Sequence, residues 1–212
     1  MAELTRASPA CIGVTGNIAC GKSAVLDMLA ELGAETIDAD RVYHQLVAPG
    51  APLLATIRER FGPAIVAPDG GLDRARLGAI VFSDPAALAA LDTLVRTPVR
   101  AEIRRRVAAS HAEVVAVDAI KLIESGIAAD CDAVWAVTCA PEVQLRRLMA
   151  RSGLDETEAR RRITAQSPPE AKILVADTVI DNSGALAETR RQVAFAYAAF
   201  RERMRPGRKD AR

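Results

Sequence analysis

The sequence predicts an α/β protein of three layers, in which a five-stranded parallel sheet lies between helices. Three observations carry that prediction. Short apolar segments alternate with segments of helical spacing, the order that a parallel sheet covered on both faces requires. The octet Gly16-Asn17-Ile18-Ala19-Cys20-Gly21-Lys22-Ser23 fits the pattern G-x-x-x-x-G-K-[ST] in full and stands between an apolar segment and a helix start. Residues 51–112 hold helical segments and no convincing core strand, so they read as an insertion into the alternating series.

Taken in order, Cys11-Ile12-Gly13-Val14-Thr15 is a buried first strand, and Val25, Leu26, Met28, Leu29 and Leu32 mark the helix after the octet. Glu35-Thr36-Ile37-Asp38 reads as a second strand, and a helix from Asp40 to Val47 ends at Pro49-Gly50. Helical segments then cover about 52–60, 74–81 and 85–110, separated by Phe61-Gly62-Pro63 and Pro68-Asp69-Gly70-Gly71. Glu113 to Asp118 is a third strand and Ala133 to Thr138 a fourth. Pro141 suits the first turn of the next helix, with Val143, Leu145, Leu148 and Met149 as its apolar positions. Arg151 to Gln166 is highly charged and helical. Thr178 to Asp181 is a fifth strand closed by Asn182-Ser183-Gly184, and a last helix covers about 185–203. The charged tail from Arg205, with Pro206 and Gly207, is predicted to be disordered. The single chain thus divides into a core of about 10–50, 112–150 and 167–203, a helical insertion of about 51–111, a lid of about 151–166 and a tail of about 204–212. An insertion of that size is either a platform for a second substrate or an elaboration of the packing.

At 212 residues the chain can bury a sizeable core, which must be built from Ala, Val, Leu and Ile because aromatic residues are only 3%. A formal net charge of +1 gives no overall field to draw in nucleic acid or an anionic membrane, so neither partner is predicted. No apolar run is long enough to span a bilayer, since Glu124, Asp130 and Asp132 interrupt the longest candidate region. Met1 to Pro9 lacks the apolar segment of a signal peptide, and the cytoplasm is the expected compartment. The expected assembly is a monomer or a weak homo-oligomer. Cys11, Cys20, Cys131 and Cys139 show no C-x-x-C spacing and no histidine partners, which argues against zinc. Cys11 and Cys139 read as small core residues. Cys20 reads either as a filler or as a thiol whose pKa falls beside Lys22 at a helix N-terminus, open to oxidation and protected by nucleotide.

Strand, turn and helix start together aim several backbone N–H groups at one point, and the helix dipole adds to the pull on an anion. Gly16, Asn17, Ile18, Ala19, Cys20, Gly21, Lys22, Ser23 and Ala24 are therefore the predicted nucleoside triphosphate site of a P-loop fold. Lys22 reaches the outer phosphates, and the Ser23 hydroxyl is the predicted Mg²⁺ ligand. Asp118 ends the third strand as a Walker B acid does, so it and Asp38 are both candidates to hold a metal water. Asp38 and Asp40 lie just after the second strand, at the sheet edge where open α/β folds bind ligands. One acid can accept the proton of an acceptor hydroxyl while the other orders a metal water or a helix end; the alternative is that both only cap the helix. Arg147 and Arg151, four apart on one helical face, are candidates to meet the transferring phosphoryl group, as against being merely solvated. His44, one turn after Asp40, is a candidate contact to the acceptor, whereas His111 reads as a surface residue.

Over about residues 11–200 the chain resembles the dephospho-coenzyme A kinase family. The resemblance rests on Gly13-Val14-Thr15-Gly16 leading into Gly21-Lys22-Ser23, Ile37-Asp38-Ala39-Asp40, Asp69-Gly70-Gly71-Leu72-Asp73-Arg74, Val81-Phe82-Ser83-Asp84, Leu122-Ile123-Glu124-Ser125-Gly126, Gln144 to Arg151, and Val179-Ile180-Asp181-Asn182-Ser183-Gly184. It implies a kinase that uses MgATP to phosphorylate the ribose 3′-hydroxyl of dephospho-CoA, the last step of coenzyme A synthesis. It implies Asp40 as base, Lys22 and Ser23 at the phosphates and Mg²⁺, Arg147 and Asn182 at ATP, and the helical insertion as the acceptor-binding part. Asp38, His44, Lys121 and Glu124 are the expected acceptor contacts, Lys121 adding a cation toward the acceptor's phosphates. Departures from the family pattern are Asn17, Ala19 and Cys20 in the loop, Ala24 after it, Arg96-Thr97 in place of His-Pro, and Ile120-Lys121 in place of Pro-Leu. Asparagine tolerates φ > 0, so the loop's binding is expected to persist, and the changes bear on acceptor affinity more than on reaction type. Competing expectations are another small-acceptor kinase of adenylate or shikimate type, and a nucleotide-binding regulatory module without turnover.

Overall fold

β1 (Ala10–Thr15) is buried along nearly its whole length, as the apolar run requires of a strand covered on both faces. A computed structural model gives its setting and describes residues 8–205. β1 pairs in parallel with β3 (Val114–Asp118) on one side and β4 (Ala133–Thr138) on the other, with Ile12 opposite Ala116 and Ala133. β2 (Glu35–Asp38) flanks β3, β5 (Thr178–Asp181) pairs in parallel with β4, and the strand order is β2-β3-β1-β4-β5. The chain leaves β1 toward β2 and leaves β3 toward β4, so the connections diverge where β1 and β3 lie side by side. That divergence is the topological switch point, beyond whose carboxyl edge open α/β sheets bind their ligands.

α1 (Lys22–Glu31) and α9 (Leu186–Met204) pack with the sheet into one core that includes Ile12, Val14, Val25, Leu29, Trp135, Ile180, Val193 and Phe200. Trp135 is among the largest fully buried side chains of that core. α6 (Pro141–Ser152) starts on a proline at its first position and ends at Gly153 in the left-handed region, φ 63°. The charged stretch from Arg151 to Gln166 is therefore not one continuous helix, as its composition suggested. Gly153 stops α6, and Asp155 caps a separate α7 (Glu156–Thr164) by accepting the Glu158 N–H at 2.8 Å. α8 (Pro169–Ile173) was not legible in the sequence, because five residues offer no helical period to recognise.

The chain divides into two compact units, residues 1–37 with 107–212 and residues 38–106. The second holds α2 (Ala39–Leu46), α3 (Pro52–Phe61), α4 (Arg74–Ser83) and most of α5 (Pro85–Ala109), which runs on through Pro98. It has its own core of Val47, Leu53, Leu54, Ile57, Ile65, Leu77, Val81 and Ala87. Its one β feature among the described residues is an isolated antiparallel bridge, Val66 to Leu72, around the Asp69-Gly70-Gly71 turn. Of the described residues, no helix is long and apolar enough to cross a membrane. The tail expected to be disordered, beyond Arg205, and most of the N-terminal stretch read as lacking a signal peptide lie outside the described residues.

Candidate active site

The phosphate loop leaves β1 at Gly16, where a Cβ would come within 2.5 Å of the Val137 carbonyl oxygen. Only glycine lets the loop pass β4 that closely. At the other end Gly21 is the N-cap of α1 with φ 90°, and a Cβ there would run into the Asn182 amide. Between them the left-handed turn falls on Ala19, φ 61°, and not on Asn17, the residue expected to tolerate it. An alanine in that region costs about 1–2 kcal/mol of backbone strain.

Side chains from distant elements hold this loop. Gln144 on α6 donates its Nε2 to the Ile18 carbonyl at 2.8 Å, and Gln166 after α7 accepts the Ile18 N–H at 2.7 Å. Asn17 is buried and donates its Nδ2 to the Ser167 carbonyl at 3.0 Å. Asn182, just past β5, donates its Nδ2 to the Cys20 carbonyl at 2.9 Å and accepts from the Thr189 hydroxyl at 2.8 Å. Arg147 donates to the Asn182 carbonyl at 2.8 Å, which sets its guanidinium beside Gly21. Arg146 and Arg151 are exposed.

Lys22 and Asp118 meet at the switch point, where the amine lies 2.5 Å from a carboxylate oxygen, with the side chains 15% and 18% exposed. The pairing follows from the register: Val14 lies opposite Asp118, so the acid ends β3 as β1 turns into the loop. Ser23 is exposed in the first turn of α1, where the amides lack intrahelical acceptors. No cluster of three or more metal-binding side chains occurs among the described residues. One hydroxyl and one nearby carboxylate fit Mg²⁺, which keeps several waters and is completed by substrate phosphates.

Of the two readings of Cys20, the structure favours the small buried filler over the acidic thiol. The Cys20 thiol is buried at 3% exposure, and its pKa is raised, first by a hydrogen bond with Cys139 and then by burial. The pull of Lys22 and the helix dipole does not prevail. Cys139 is half-buried beyond β4, and its pKa is lowered by the Cys20 hydrogen bond and by Arg147.

Within the second unit Asp38 is a helix cap: its Oδ1 accepts the N–H groups of Asp40 (2.8 Å) and Arg41 (3.1 Å). Asp40 is exposed in the first turn of α2, and its carboxylate makes no hydrogen bond or ion pair among the described residues. His44 is exposed one turn on, its ring 5.9 Å from that of Tyr43. In the first unit Lys121 is exposed, while Glu124 accepts from the Ser167 hydroxyl at 3.4 Å and lies 3.8 Å from the buried Lys172 amine. Gln144, Gln166, Ser167, Thr189 and Lys172 were missed in the sequence. Gln144 did leave a signal, because it shares a helical stripe with the buried Leu148, where a polar residue needs a partner.

The family model for CoaE, dephospho-CoA kinase, matches residues 10–188. A dephospho-CoA kinase of Symbiobacterium thermophilum is 48% identical over 191 residues, spanning 89% of this chain and 80% of the relative. Among solved structures, TT1252 of Thermus thermophilus superposes with a TM-score of 0.74 at 34% identity, over 91% of this chain and 97% of that one. The dephospho-CoA kinase of Campylobacter jejuni does so with a TM-score of 0.66 at 27% identity, over the same shares of the two chains. The resemblance read from the motifs, the P-loop kinase fold and the matches agree, and the chain belongs to the dephospho-CoA kinase family.

Proposed function

We propose that this chain transfers the γ-phosphoryl group of ATP to the ribose 3′-hydroxyl of dephospho-CoA, giving ADP and coenzyme A. Within this family, the observation that carries the reading is the Lys22–Asp118 pair set at the switch point beside a loop whose two glycines admit no side chain. Phosphoryl transfer needs charge neutralisation, in-line placement and an acceptor for the hydroxyl proton.

Lys22 exchanges its bond to Asp118 for the outer phosphates, and the amides from Ala19 to Ala24 take the inner ones. Ser23 would hold Mg²⁺ and Asp118 would order its water, and the ion bound there would supply neutralisation of charge on the phosphates. Arg147 stands beside Gly21 to meet spread negative charge with a planar guanidinium. Asn182 supports ATP binding through the loop carbonyl it holds. Asp40 accepts the proton of the 3′-hydroxyl, and Asp38, by capping α2, fixes the turn that carries it. His44, Lys121 and Glu124 are assigned to the acceptor.

The test is ADP release by the full chain with MgATP and a panel of dephospho-CoA, AMP and shikimate. Turnover with dephospho-CoA alone is expected. Turnover with AMP or shikimate and none with dephospho-CoA overturns the reading, and ATP binding without turnover on any acceptor assigns a regulatory role.

A further inference from the structure

We infer that Gln144 and Gln166 are positioning residues of the phosphotransfer, because together they fasten a single phosphate-loop residue, Ile18, to both ends of the segment that carries α7. This rests on the reading that the loop takes a triphosphate. Gln144 lies in α6, ahead of the left-handed Gly153 at which the segment begins, and Gln166 lies just past α7. One glutamine takes the Ile18 carbonyl and the other its N–H, at 2.8 and 2.7 Å. A third tie runs beside them from Asn17 to the Ser167 carbonyl, 3.0 Å.

The two polar groups of Ile18 are thus held by side chains and not by the loop's own backbone. The phosphate-directed amides follow in the next residues, so a shift of Ile18 carries them with it. Ala159 packs α7 in a fully buried position, while Arg160, Arg161 and Arg162 stay exposed on its outer side, bonded to Glu156 and Glu158. A displacement of α7 that moves Gln166 must break the Ile18 bond or move the loop. By reciprocity, a loop settled on a triphosphate must hold Gln166, and with it the α7 segment, in place. The tie continues away from the loop, since the Ser167 hydroxyl donates to Glu124 and Glu124 faces the buried Lys172 amine.

The experiment compares the full-length chain with Gln166→Leu and Gln144→Leu, each checked for an unaltered unfolding midpoint. Tryptic cleavage at Arg160, Arg161 and Arg162 is timed with and without a saturating non-hydrolysable ATP analogue, alongside kcat for ADP release. The unaltered chain is expected to be cut more slowly with the analogue. Either leucine variant is expected to lose that slowing at saturation and to lose about tenfold in kcat, the change that one hydrogen bond of ordinary strength accounts for. Retained slowing with unchanged kcat in a folded variant overturns the inference, as does absence of slowing in the unaltered chain. The cleavage readout needs no acceptor, so a chain that shows the slowing but fails on dephospho-CoA keeps this coupling and loses the proposed reaction.

Discussion

Replacing Asp118 by asparagine separates two jobs that the Lys22–Asp118 contact performs. At 2.5 Å the attraction between unit charges is about 6–7 kcal/mol for an effective dielectric constant of about 20. Most of it is offset by desolvation, because both side chains are more than four-fifths covered and several kcal/mol per ion is lost on leaving water. A net stabilisation of about 1–3 kcal/mol remains for the folded protein. In a domain of this size that lowers the unfolding midpoint of Asp118→Asn by about 3–9 °C in the absence of nucleotide. Nucleotide binding without metal moves the other way. Lys22 no longer has to leave a carboxylate to reach the phosphates, so ADP in the presence of a chelator should bind at least as tightly as to the unaltered chain. Turnover with Mg²⁺ should fall by about 10²–10³, the range seen when one preorganised electrostatic group is removed. Calorimetric unfolding, titration calorimetry with metal-free ADP, and ADP release measure the three quantities. An unchanged midpoint together with weaker metal-free ADP binding would refute the reasoning, since Asp118 would then support the nucleotide and not restrain the lysine.

Asp40→Asn is expected to leave ATP binding unchanged and to lower kcat by about 10²–10⁴, the span of general base catalysis; an unchanged kcat would move proton acceptance to Asp38 or to solvent. Ala19→Gly relieves the left-handed strain at φ 61° and should raise stability by about 1 kcal/mol, or about 2–4 °C in the unfolding midpoint, and a fall of similar size would contradict the strain. The raised pKa of Cys20 keeps its thiol protonated through neutral pH, so iodoacetamide should modify it slowly with or without MgATP. Fast labelling suppressed by MgATP would restore the reading of an exposed, acidic thiol.

The three central strands were legible because their burial on both faces leaves continuous apolar runs, as at Val114 to Val117 and Ala133 to Val137. The phosphate loop was legible because the chemistry demands particular residues at fixed spacing, and the family followed from several such stretches in order. The ties that hold the loop were not. Gln144 and Gln166 reach Ile18 across 126 and 148 residues, and no local pattern encodes an approach at that range. Cys20 was left between two readings for the same reason. Its sequence neighbours argue for a low pKa, whereas the thiol that decides the matter, Cys139, arrives from the far end of β4. Residue pattern alone gave Asp38 and Asp40 as a pair, the resemblance gave Asp40 the role of base, and the α2 backbone makes Asp38 a cap and leaves Asp40 exposed in the first turn.

The same loop explains which small residues a phosphate site needs and which it can lose. Its donors are backbone N–H groups, so a side chain is harmless wherever it has somewhere else to go. Asn17 goes to the Ser167 carbonyl and Cys20 to Cys139, and each gives the loop a tertiary contact that glycine could not make. Ala19, with no polar atom in its side chain, bears the strain. Gly16 and Gly21 have no such outlet, since one faces the Val137 carbonyl and the other the Asn182 amide, a partner the loop requires. Side chains at the three substituted positions also narrow the loop's conformational freedom before any ligand arrives, and ordering completed in advance is not lost again on binding. The substitutions therefore favour a stiffer phosphate site and leave its chemistry to the two glycines, the lysine and the serine that remain.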